Sequence, residues 1–390
     1  MKTLSDADLA SSQAAAAAPR FLSLDVFRGM TVAGMILVNT PGSRAHIYPP
    51  LRHADWNGCT PTDLVFPFFL FAVGNALSFA IGKYAARGHA GVLRKVFTRT
   101  ALIFGIGLLL NWLPFVKWQD GALMPKQLEN LRIFGVLQRI ALAYCGGALI
   151  AHFFKPKAAF AVACALLVGY WAVLLAFGDL TLEGNAVLKL DRWLLGEDHL
   201  YKGYFSEILN INIAFDPEGL LSTMPAVASV VFGFLAGRLI RERGNSYETL
   251  THLLVLGSLA IFLGLCWNVF FPINKPLWSS PYVLHTTGLA MVLLAVLVFL
   301  IDVKNHRRWT GFFVVFGKNP LFIFVLSGVW VKLYGLVRLG DSNLYGWLYE
   351  SVFRPMAGDL NGSLLFAIAH VLLFWAVGLV LYRRNIFIRV

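Results

Sequence analysis

Charge is scarce in this chain of 390 residues: Asp, Glu, Lys and Arg make up 14% of it, against about 25% in soluble domains. That deficit excludes an ordinary soluble domain. Cysteine is scarcer still. Cys59, Cys145, Cys164 and Cys266 stand far apart, with neither metal-type nor redox-type spacing, so neither a disulfide framework nor a bound metal is expected. No Walker A loop, dinucleotide fingerprint or metalloprotease motif occurs, and no internal repeat is visible. Residues 1–19 lack the apolar core of a signal peptide and are expected to form a disordered cytoplasmic tail.

What abounds is apolar sequence, 58% of all positions. About ten segments are long enough to span a bilayer: approximately 25–42, 63–82, 97–115, 133–154, 158–178, 219–239, 249–271, 281–301, 320–337 and 362–382. Backbone groups in lipid must be satisfied within each segment, so the fold class is an all-α integral membrane protein, a polytopic helical bundle. Residues 20–390 read as one transmembrane domain, with the lipid bilayer as its partner; a homodimer is compatible with such a bundle.

The net charge of +12 could suggest nucleic acid, but its placement excludes that partner. Basic residues gather in alternate connections, around Arg94 and Lys95, Lys155 and Lys157, Arg241 and Arg243, Arg307 and Arg308, and Arg383 and Arg384. The opposite connection at 179–218 is acidic. By the positive-inside rule both termini lie in the cytoplasm, N-in and C-in.

The richest chemistry lies in the run LRHADWNGCTPTDLVFPFFLFAVGN, from Leu51 to Asn75. His53 is followed by Asp55, Trp56 and Asn57, with Asp63 ten residues on. An imidazole, carboxylates and an indole at a membrane boundary suit chemistry on a sugar. Histidine is the commonest general base, and a carboxylate behind it would fix its tautomer. Asp63 also fits a helix-capping box with Thr60 and Pro61, and the two roles are compatible. Asn39, before Pro41 and Gly42, reads either as a helix stop or as a group orienting His53.

Further candidates come from other segments. Arg139, about two turns below the mouth of its span, must pair or face water, with Asp63 as its expected partner. Trp278 reads as an aromatic-belt anchor or a sugar contact; His285, one turn inside, reads as a satisfied core histidine or a substrate contact. Arg28, one turn from Asp25, is either an interface anchor or a contact to an anionic donor. Lys318 beside the Asn319-Pro320 helix start is a reasonable phosphate site.

Together these motifs resemble the heparan-α-glucosaminide N-acetyltransferase family and its bacterial NagX-type relatives. The matching segments are SLDVFRG, VNTPG, the HADWNGCTPTDLVFPFFLFAVG block, GVLQRIALAY, FDPEGLLSTMPA, PINKPLWSSPYVL and FGKNPL, in order from about residue 20 onward. The resemblance implies a multi-pass enzyme of the bacterial inner membrane. It would move acetyl from cytoplasmic acetyl-CoA to the amine of a glucosamine-type sugar across the membrane. It places the active histidine at His53, with Asn39 and Asp63 beside it. No counterpart of the animal enzymes' luminal domain is expected, which favours a free amino sugar or small saccharide over heparan sulfate. On this reading His53, Asp63, Asn39 and Arg139 are catalytic. Asp55, Trp56, Asn57, Trp278 and His285 contact the sugar, and Arg28 and Lys318 meet the donor's phosphates. His53 acts as base or as a covalent carrier. An amino-sugar transporter and an O-acyltransferase of envelope glycans are the competing readings; a transporter should show repeat symmetry.

Overall fold

Apolar segments separated by Pro, Asn and Ser caps become helices in the computed structural model, which describes residues 21–85, 88–340 and 342–388. The tail expected over 1–19 lies outside the described residues. Helix α1 (Leu22–Asn39) ends as Thr40 N–H donates back to Ile36 O at 3.1 Å. A loop with two short 3-10 turns leads to α2 (Val65–Ala85), followed by α3 (Gly88–Trp112). Strands β1 (Val116–Gln119) and β2 (Ala122–Pro125) pair antiparallel before α4 (Val136–Phe153) and α5 (Pro156–Phe177).

The acidic connection at 179–218 is folded. It holds α6 (Ala186–Leu195), capped by Asn185, and the hairpin of β3 (Tyr204–Ser206) with β4 (Ile211–Ile213). Next come α7 (Thr223–Arg243), α8 (Tyr247–Trp267) and α9 (Ser280–Leu297), the last prolonged by a π turn to Val303. Helices α10 (Thr310–Lys318) and α11 (Pro320–Leu336) meet at 83°. A two-residue hairpin and α12 (Leu344–Leu348) precede α13 (Arg354–Arg383).

Eight helices among the described residues are long and apolar enough to cross a membrane, or nine if α10 and α11 form one broken span. The remaining expected span, 97–115, falls in α3, a helix of 25 residues that Arg94, Lys95, Arg99 and Asn111 make more polar. Helix α7 forms the centre, with 72% of its apolar window buried, while α5 at 22% and α8 at 28% present their sides outward.

Small residues bring the inner helices into backbone contact. A Cβ on Gly233 would stand 2.2 Å from Phe71 O of α2, and one on Gly74 would stand 2.0 Å from Val230 O. Close approach through small residues is how helices associate in lipid, where burial of apolar surface gives no drive. The same device joins α1 to α10: a Cβ on Gly317 would lie 2.3 Å from Asp25 O. That contact sets Arg28 beside Lys318.

Candidate active site

A cavity of about 880 Å³ opens on the face where α1 ends and α2, α4 and α9 begin. Asn39, His53, Asp55, Asp63 and Trp278 line it, so five of the candidate residues share one space. His53 is exposed to it, whereas Asp63 is buried at 1% exposure.

Asp63 is held by its own loop. Oδ2 accepts from the amides of Thr60 at 3.0 Å and Ala54 at 3.1 Å, so the capping contact and the site contact coexist. Oδ1 lies 2.6 Å from His53 Nδ1. A contact that short needs a proton between its atoms, and a carboxylate only accepts. Nδ1 therefore carries the proton, which in the neutral imidazole leaves Nε2 as the acceptor. The pair is arranged as a general base and its orienting carboxylate.

Lys275 is the residue that sequence reasoning missed. Its Nζ lies 3.2 Å from Asp63 Oδ1 and 3.0 Å from His53 Nδ1. With Nδ1 already a donor, the ammonium donates to Asp63 and balances its charge. Burial pulls Lys275 below the ordinary lysine range, against the pull of Asp63. Only a cation next to a proline in PINKPLW could have signalled it. Nearby Cys59 is chemically quiet: burial first, then Asp63, push its thiol up to about 12, with Lys275 opposing.

Arg139 corrects an expectation, because it does not pair with Asp63. Its Nη2 donates to Gly219 O at 3.3 Å and to Ser222 Oγ, at the start of α7. Trp278 covers the guanidinium at 4.9 Å, and the Tyr282 hydroxyl donates to Asp63 O at 2.6 Å, so aromatic rings occupy the intervening side. Arg132 instead makes the strong ion pair, bidentate to Asp216 at 2.7 and 2.8 Å and joined to Glu218 at 2.5 Å. Burial opposes that charge, but the two carboxylates outweigh it and raise Arg132 above the ordinary arginine range. Arg132 and Glu218 also line the cavity.

Three of the expected sugar contacts lie outside the cavity wall. Trp56 Nε1 donates to Leu180 O at 2.9 Å, and its ring meets Phe215 and Tyr204 edge-on, which anchors the 179–218 connection. Asn57 accepts from Asn274 Nδ2 at 3.1 Å and ties the two loops that carry His53 and Lys275. His285 backs onto α8, where a Cβ on Gly264 would stand 2.9 Å from its amide nitrogen.

Asp191, fully buried on α6 within the 179–218 connection, accepts from Leu220 N at 3.1 Å through Oδ1, while Oδ2 has no hydrogen-bond partner among the described residues. Burial above all lifts its carboxyl to about 7, against the Leu220 amide. The folded chain thus holds this proton more tightly than the unfolded one, where the group titrates near about 4. The resulting stability is full below that value and is lost as pH rises through 7. Asp191→Asn is expected to flatten this decline, melting above the wild type at pH 8 and close to it at pH 4. Parallel melting curves across that range would remove Asp191 as the source.

A second cavity, about 650 Å³, opens on the opposite face, lined by Arg28, Lys95, Arg99 and Lys318 among apolar side chains. Asp25 joins two of these: Arg28 Nη2 donates to Oδ1 at 2.7 Å and Lys318 Nζ to Oδ2 at 3.1 Å. Arg99 stacks on Tyr144 at 4.7 Å. Lys95, expected only to set topology, is part of this cavity's wall. Asn319 occupies the cap position of α11, but its side chain serves the carboxyl-terminal segment, bonding Ile386 O at 3.0 Å and Ile388 N at 2.8 Å. The bend between α10 and α11 turns it that way.

The two cavities nearly meet. Val136 lines the first and Ile140 the second, and four residues of helix are only about 6 Å. Arg139 lies in that partition, with Nε and Nη1 buried and without hydrogen-bond partners among the described residues.

Residues 20–265 match the family model described as heparan-alpha-glucosaminide N-acetyltransferase, catalytic. Heparan-alpha-glucosaminide N-acetyltransferase of Homo sapiens is 29% identical over 357 residues, covering 79% of this chain and 52% of that protein. Its Mus musculus counterpart is 30% identical over 358 residues, covering 79% and 53%. The chain spans about half the length of these curated relatives.

Proposed function

This chain belongs to the heparan-alpha-glucosaminide N-acetyltransferase family, and on that premise we propose that it transfers acetyl from acetyl-CoA to the amine of a glucosamine-type sugar across a membrane. The observation that carries the reading is the pair of cavities, one rich in cations and one built around His53 and Asp63, parted by about one helical turn. Acetyl-CoA fits the first: Arg28, Lys95, Arg99 and Lys318 suit its phosphates, and the apolar walls suit the pantetheine arm. A free amino sugar or small saccharide fits the second, where Asp55 and Glu218 accept from hydroxyls and Trp278 offers an aromatic edge. We place the chain in a bacterial inner membrane, with Lys318 on the cytoplasmic side.

In this mechanism the acceptor nitrogen adds to the thioester carbonyl while His53 Nε2 takes a proton from it. Asp63 and Lys275 hold the imidazole in the required tautomer. Arg139 donates to the tetrahedral oxyanion. Its collapse breaks the C–S bond and releases CoA as thiolate, which takes up a proton as His53 returns one to water. Transfer is direct, because an acetyl-imidazole facing an open cavity would hydrolyse.

Purified protein given radiolabelled acetyl-CoA and a panel of amino sugars should yield N-acetylated sugar. Sugar uptake into vesicles without acetylation would favour a transporter, and an ester product an O-acyltransferase. Orientation is tested separately: in intact cells a cysteine near Asp198 should react with impermeant maleimide, and one near Arg241 should not.

The donor site gives its own prediction. Lys318→Ala is expected to raise the KM for acetyl-CoA about tenfold or more, as roughly 1.5–3 kcal/mol follows from losing one charge-assisted contact. The KM for the sugar should hardly change. Unaltered donor KM would remove Lys318 from the site.

A further inference from the structure

A third cavity, about 600 Å³, lies between the β1–β2 hairpin and the end of α11, on the same face as His53, and shares no lining residue with the other two. Lys117, Lys126, Lys332 and Arg338 line it, and no carboxylate does among the described residues. Lys126 and Lys332 are half-buried, and both ammonium groups donate to one carbonyl, Leu113 O, at 3.0 and 3.2 Å. Like charges brought together in this way disfavour one another. Burial also draws the Lys126 ammonium below the ordinary lysine range. An anion between the two would relieve both costs.

The surroundings indicate which anion. This is the face away from the basic connections, where the positive-inside rule depletes Lys and Arg, so four converging cations need a reason. Trp118, a belt-type aromatic, forms one wall: its Nε1 donates to Leu336 O at 2.9 Å, and Arg338 stacks on its ring at 4.4 Å. Beside the charges, Leu123, Met124, Leu333 and Val337 are exposed. A charged pocket bordered by exposed aliphatic side chains at a membrane boundary matches a head group and its acyl chains. We propose that Lys117, Lys126, Lys332 and Arg338 form a site for the phosphodiester of an anionic glycerophospholipid.

The test uses the full-length chain, delipidated in neutral detergent and titrated with phosphatidylglycerol, phosphatidylcholine or soluble glycerol phosphate. Native mass spectrometry counts the adducts. Phosphatidylglycerol should bind at least tenfold more tightly than phosphatidylcholine. Removing charge by Lys126→Gln with Lys332→Gln should weaken it more than tenfold, since each basic residue near a membrane surface contributes roughly a fivefold preference. Should that variant misfold, the exposed pair Lys117→Gln with Arg338→Gln carries the same expectation. Lys155→Gln with Lys157→Gln, on the opposite face, should leave binding unchanged. Equal affinity for the two lipids, undiminished binding in the folded site variants, or an equal loss in the opposite-face variant would each overturn the proposal. Glycerol phosphate binding as tightly as the lipid would point to a soluble phosphate and overturn it too.

Discussion

His53→Ala is expected to fold, bind acetyl-CoA and transfer almost no acetyl. Loss of a general base alone lowers a rate by about 10²–10⁴. Folding should survive because the His53 side chain is half-exposed and its loop is held by other contacts: Asp63 to the Thr60 and Ala54 amides, and Thr60 Oγ to Arg52 O at 2.7 Å. Donor binding should survive because His53 and Lys318 line separate cavities. Steady-state kinetics then separate base from carrier. Direct transfer gives intersecting lines and no labelled peptide when donor is supplied alone. Ping-pong lines with label on His53 would replace the mechanism while keeping the residue. Near-normal transfer by a folded His53→Ala would reject the assignment in both forms.

How legible the site was depended on sequence distance. His53 and Asp63 are ten residues apart in one loop, where a capping pattern fixes the position of the carboxylate, so their convergence could be read from the chain. Lys275 reaches the same carboxylate from 212 residues away along the chain, and nothing local in PINKPLW says which loop it will meet. Arg139 alone was read as needing a partner, and Asp63 was expected to supply it. The mistaken pairing came from the helix face: Arg139 turns toward Gly219 and Ser222, and Trp278 stands over it. Periodicity is weak in a helix that is apolar on every side, so the face of a polar residue there cannot be read from its position.

The fold shows the same division. Helix ends marked by Asn39 and Pro320 fell where a cap and a proline predicted them. The folded 179–218 connection was legible only as an acidic loop, because α6 and the β3–β4 hairpin are stabilised by contacts to Trp56 and Phe215 rather than by strong local patterns. Trp56 and Asn57 drew attention as polar or aromatic neighbours of His53, and the structure uses them to hold that loop against its neighbours.

Arg139→Lys is expected to lower kcat by about 10²–10³, the usual effect of removing one donor to a tetrahedral oxyanion, with both KM values nearly unchanged. The guanidinium has more donors than its contacts consume: Nη2 serves Gly219 and Ser222, while Nε and Nη1 are buried without hydrogen-bond partners among the described residues. A buried unsatisfied donor costs about 1–3 kcal/mol, so such a group is poised for an acceptor that arrives with the reaction. Its place in the partition between Val136 and Ile140 is where the thioester and the amine would meet. Lysine keeps the charge but offers a point donor in place of a planar fork, so it cannot brace the start of α7 and reach the oxyanion together. A purely bracing role predicts something else: a lower melting temperature, with kcat per correctly folded molecule preserved. Counting folded molecules by stoichiometric binding of acetyl-CoA separates the two. If kcat per binding site in Arg139→Lys equals that of the wild type, Arg139 is a brace and the oxyanion donor lies elsewhere.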